Sequence, residues 1–140
     1  MKKRAVVVGI NRYEDSARIN PLQYAEPDAS QMRYFLQRRC GFAVTPLMGK
    51  QATRRHIGDA VHEVCRDLTE GDLFLFYFAG HGHEDSRGHL LLAADVRFRE
   101  LKAGLAPDVV PVRGLDAITA EDGFSRVFIL DACRSPLEKG

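Results

Sequence analysis

Two residues of this sequence have complementary chemistry and matching surroundings. His81 stands in Phe78-Ala79-Gly80-His81-Gly82 and Cys133 in Leu130-Asp131-Ala132-Cys133-Arg134, each directly after a short apolar run. A thiol becomes a strong nucleophile as thiolate, and an imidazole can take its proton and later protonate a leaving amine. The pair therefore suits acyl transfer, with the Gly82 and Cys133 amides as candidate oxyanion-hole donors. The glycines flanking His81 are expected to let a substrate backbone come close. His81, His83, His89 and Cys133 also form a formal zinc set, but a His-x-His spacing at strand ends does not define a tetrahedron, and no metal or other cofactor is expected.

The elements that must hold this pair are legible as patterns. Ala5 to Ile10, Leu73 to Ala79 and Val127 to Leu130 are apolar on consecutive positions, as strands covered on both faces are, and Phe42 to Met48 makes a weaker strand. Between them, Ala29, Met32, Leu36 and Cys40 recur at helical spacing, with Pro27 in a first turn and Gly41 at a left-handed stop. Thr53 can cap a second helix that buries Ile57, Val61, Val64 and Leu68. The order strand, helix, strand, helix, strand implies right-handed crossovers and an open, mostly parallel α/β sheet sandwiched by helices. Sites in such sheets form beyond the carboxyl ends of the strands, where His81 and Cys133 both fall. Gly80 to Gly88 is expected to be loop, His89 to Ala94 a short strand, and Arg97 to Arg113 irregular.

Bulk properties narrow the class. The 140 residues, 45% of them hydrophobic, can bury one core and not two, so residues 1–140 are expected to form one domain. Twenty Lys and Arg against nineteen Asp and Glu supply no pull toward nucleic acid or an anionic membrane. Three cysteines in no Cys-x-x-Cys spacing argue against a disulfide framework and for a reducing, cytoplasmic location. Cys40 and Cys65 fall on apolar helix faces and are expected to be small core residues. The apolar run behind Met1-Lys2-Lys3-Arg4 is shorter than a signal-peptide core, and no stretch reaches the roughly 20 apolar residues of a membrane span.

The segments Tyr77-Phe78-Ala79-Gly80-His81-Gly82 and Leu130-Asp131-Ala132-Cys133-Arg134-Ser135 resemble the two catalytic motifs of the caspase and metacaspase superfamily, whose histidine precedes its cysteine by about 50 residues. Gly9-Ile10-Asn11-Arg12-Tyr13 and Pro21-Leu22-Gln23-Tyr24-Ala25-Glu26-Pro27-Asp28-Ala29 resemble the family's first strand end and the entry to its first helix, so the likeness spans nearly the whole chain. It implies a caspase-like three-layer fold and a cysteine endopeptidase with Cys133 as nucleophile and His81 as base. Caspases that cut after Asp carry an arginine and a glutamine where this sequence has Leu22 and Asp131. Metacaspases, which cut after Arg or Lys, carry aspartates at the positions of Asp28 and Asp131. A buried carboxylate pair would favour a guanidinium or ammonium group and repel an acidic one. Calcium-dependent metacaspases have a dense acidic segment between histidine and cysteine. Here only Asp95, Asp108, Asp116 and Asp122 are scattered there, which argues against calcium dependence.

Family members continue past the cysteine with strands that complete the sheet and the cleft. The resemblance therefore implies that the chain is the large-subunit half, with a small-subunit partner chain or a further C-terminal segment as its complement and a protein or peptide as substrate. A catalytically idle scaffold and a redox-sensing thiol protein are the readings from other classes.

Overall fold

The computed structural model describes residues 1–104, 109–120 and 123–133, with the backbone alone at Ile118 and Cys133. In chain order the elements are β1 (Lys3–Gly9), α1 (Ala25–Arg39), β2 (Ala43–Met48), α2 (Arg54–Arg66), β3 (Leu73–Asp85), β4 (Gly88–Leu92), α3 (Phe98–Lys102), β5 (Val109–Pro111), α4 (Val112–Thr119) and β6 (Ser125–Cys133). Among the described residues they form a six-stranded mixed sheet. β2, β1, β3 and β6 run parallel, as consecutive apolar runs predict, while β4 and β5 continue from the end of β3 in antiparallel pairing.

Side-chain alternation sends the two faces of the sheet to different helices. Ala5, Val7, Leu75, Tyr77 and Ala79 pack against Ala25, Ala29 and Leu36 of α1. Val6, Val8, Phe74, Phe76 and Phe78 face Ile57, Val61 and Cys65 of α2, in a core that extends to Leu101 and Leu115. The three-layer α/β arrangement is thus the expected one. Local signals held as well: the Thr53 side chain accepts the His56 amide at 3.1 Å, and Gly41 adopts φ +74° after α1. Cys65 is buried and Cys40 half-buried, and neither is in a disulfide.

Two local expectations fail. The segment after Ala79 is not a loop: β3 runs on to Asp85 and turns into β4, with Gly82 opposite Leu91 and Asp85 opposite Gly88. Its polar residues conceal the extension because ladder hydrogen bonds are made by the backbone and need no apolar side chains. The Asp85 carboxylate closes the turn, accepting the Arg87 amide at 2.7 Å and its guanidinium at 2.6 Å. The stretch from Arg97 to Arg113 also contains structure, namely α3, β5 and the start of α4, elements too short to display a period.

β6 differs from the other parallel strands. It pairs with β3 and, among the described residues, with no second strand. Val127, Ile129 and Leu130 are 41%, 37% and 37% exposed, so both of its faces offer apolar surface. No helix among the described residues is long and apolar enough to cross a membrane.

Candidate functional site

The parallel register of β3 and β6 brings the two candidate positions together. It runs from Leu73 opposite Ser125 to His81 opposite Cys133, the last pair of the ladder. Adjacent strands lie about 4.8 Å apart, and opposed residues of a parallel pair belong to the same face of the sheet. The same register places Asp131 opposite Ala79, two positions before Cys133.

His81 is only 1% exposed and is held at two points. Its backbone N–H donates to the Tyr13 hydroxyl at 2.8 Å, and that hydroxyl donates onward to the Leu92 carbonyl at 3.2 Å. Its ring Nε2 lies 2.8 Å from the carbonyl oxygen of Asn20. A carbonyl can only accept, so Nε2 carries the proton and Nδ1 is the basic nitrogen of the neutral ring. The tautomer is thereby set by a main-chain group, and the Tyr13 ring supports the imidazole at 5.3 Å between centroids.

The glycines beside His81 serve a different purpose from the one expected. A Cβ on Gly80 would sit 2.8 Å from the Tyr13 hydroxyl and 2.9 Å from Cζ of Phe78, and one on Gly82 would sit 2.8 Å from Cβ of Ala132. The protein itself fills the space that the missing side chains leave. Gly80 admits the hydroxyl that holds the histidine amide, and Gly82 admits β6.

Asp28 and Asp131 come together although 103 positions separate them in sequence, the difference of their numbers. Both line a cleft of about 210 Å³ whose walls are Leu22 to Ala25 from the entry to α1 and Ala79 and Gly80 from β3. Burial pushes the Tyr77 hydroxyl pKa up, and the charges of Asp131 and Asp28 push it further in the same direction. The two carboxylates thus give the cleft an acidic lining. Both carboxylates are exposed, however, so the expected buried pair is here an open one, and its field is subject to solvent screening.

The remaining candidates are dispersed. The Asp95 carboxylate accepts the Arg54 amide at 3.0 Å at the start of α2, and Asp116 meets Arg126 at 2.9 Å. Asp108, Asp122, Arg134 and Ser135 lie outside the described residues. His89 pairs with Glu84 at 3.7 Å, and no group of three or more His, Cys, Asp or Glu among the described residues is placed to hold a metal ion.

Sequence reasoning missed three contributors. Asn20 acts through its carbonyl, which every residue type possesses and no motif can mark. Tyr13 and Asn11 stand in the recognisable Gly9-Ile10-Asn11-Arg12-Tyr13 segment, where two polar residues just beyond a buried strand were the available signal.

No curated protein matches the sequence. Among solved structures, the chain is similar to the crystal structure of protein GSU0716 from Geobacter sulfurreducens, with a TM-score of 0.76 and 26% identity, over 96% of this chain and 52% of that one. It therefore spans about half the length of that relative. The family model for the caspase domain matches residues 2–140, which take in every described strand of the sheet and both His81 and Cys133, and the chain belongs to this family of cysteine peptidases.

Proposed function

We propose that the chain carries the catalytic dyad of a cysteine endopeptidase that cleaves proteins after Arg or Lys. The observation behind this reading is that Cys133 opposes His81 at the end of the β3–β6 ladder, beside a cleft that holds Asp28 and Asp131. In this reading the Cys133 thiol gives its proton to Nδ1 of His81, and the thiolate attacks the carbonyl carbon before the scissile bond. The Gly82 and Cys133 amides stabilise the resulting oxyanion. His81 returns the proton to the leaving amine, giving a thioester, and then activates the water that hydrolyses it. An arginine or lysine in the cleft would face two carboxylates, whereas an aspartate would meet like charge.

The exposed apolar residues of β6 are the surface we assign to the complementary small-subunit part, supplied by a partner chain or by a further segment. GSU0716 has length to spare for such a part, since this chain covers 52% of it. A peptide library that varies the residue before the scissile bond tests the specificity. Cutting after Arg and Lys that disappears with Cys133→Ala is expected, and a preference for Asp would overturn the pocket assignment.

A further inference from the structure

The segment between β1 and α1 touches both halves of the site, the base and the acidic cleft. From it, the Tyr13 hydroxyl receives the His81 amide at 2.8 Å, and the Asn20 carbonyl receives the proton on Nε2, also at 2.8 Å. The same segment then forms the cleft wall from Leu22 to Ala25 and leads into the first turn of α1, which holds Asp28.

Asn11 ties this segment shut. Its N–H donates to Oε2 of Glu26 at 2.9 Å, its Oδ1 accepts the Glu26 N–H at 3.0 Å, and its carbonyl accepts the Leu22 N–H at 2.7 Å. The N-cap residue of α1, Tyr24, makes no side-chain capping bond. One of the helix's terminal amides is instead satisfied by Asn11, 15 residues earlier in the chain. A displacement at Asn11 would move the carbonyl that sets the His81 tautomer and the helix end that carries Asp28.

We propose that residues 11–26 position the two halves of the site relative to each other, with Tyr13 aiming the base and Asn11 coupling the base to the cleft. The proposal rests on the peptidase reading above and adds to it two positioning residues outside the dyad. Small errors in the placement of a base cost rate rather than binding, and a displaced cleft wall costs both.

Two variants of the active enzyme separate these effects, with active sites counted by a covalent thiol inhibitor. Tyr13→Phe keeps the ring and removes the hydroxyl, and should lower kcat about tenfold per active site with KM within about twofold. Asn11→Ala should lower kcat and also raise KM for an Arg substrate, each roughly fivefold. A merely structural role would reduce the number of titratable sites and leave kcat and KM per site unchanged. Alkylation of Cys133 by iodoacetamide, followed across pH by peptide mass spectrometry, gives a readout that needs no substrate. In both variants its midpoint should rise, because a misaligned imidazole stabilises the thiolate less well. Wild-type kinetics and alkylation in both variants overturn the positioning role alone, whereas cleavage that survives Cys133→Ala overturns the peptidase reading itself.

Discussion

The proposed base on β3 and the two carboxylates proposed to read the substrate, one on β6 and one on α1, are built in opposite ways. His81 is 1% exposed and clamped by a tyrosine hydroxyl and a main-chain carbonyl. Asp28 and Asp131 are exposed on the rim of an open cleft. Proton transfer requires heavy atoms within hydrogen-bond reach, so a base gains from enclosure in a rigid sheet end. A charge can attract its partner through space, and it can stay open to solvent until a covering part lowers the local dielectric. In the proposed reading, the chemistry is assembled largely inside this chain, and the selectivity is completed by the complementary part.

The strongest way to break this contrast is to remove the chemistry. His81→Ala and Cys133→Ala should each reduce peptide cleavage about a thousandfold or more, with the thermal transition of the fold retained. A Cys133→Ala enzyme with near wild-type turnover would end the account. On the cleft side, Asp131→Ala should lower kcat/KM for Arg substrates roughly tenfold to a hundredfold, measured against a neutral substrate of equal length. Asp28→Ala should cost only a few-fold, because Asp28 sits on the helix across from the strand that carries Cys133.

Salt sharpens the comparison further. Raising ionic strength toward 1 M, where the Debye length falls to about 3 Å, should raise KM for Arg substrates while kcat for a neutral substrate holds steady. Adding the complementary part should shrink that salt effect as it buries the carboxylates. A salt response unchanged by the complement would show that the cleft is already finished without it. The smallest effect belongs to a control on the far face of the sheet. Thr53→Ala removes the α2 cap and should cost about 1 kcal/mol in urea unfolding, with kcat and KM per active site unaltered.

Much of this was legible before any coordinates. Consecutive apolar residues identified the parallel strands, helical spacing found the inner faces of α1 and α2, and Thr53 and Gly41 marked helix ends, because each signal is local and acts within a few residues. The same patterns led from the apolar runs to His81 and Cys133, but both stand inside the strands and not beyond them, His81 within β3 and Cys133 as the last residue of β6. The extension of β3 was hidden, since Gly82 to Asp85 pair through backbone groups that leave no trace in side-chain type.

What only the tertiary structure decided is how distant groups meet. Register made Cys133 the partner of His81, and the packing of α1 on the sheet gathered Asp28 and Asp131 around one cleft. The reversal of purpose for Gly80 and Gly82 also needed coordinates, because the atoms that fill their space belong to Tyr13, Phe78 and Ala132. The histidine tautomer depends on a carbonyl 61 residues away in the chain. Residue types declare which reactions are possible, but distances between remote segments are set by packing, and the Asn20 carbonyl acts on His81 only because the fold brings it within 2.8 Å.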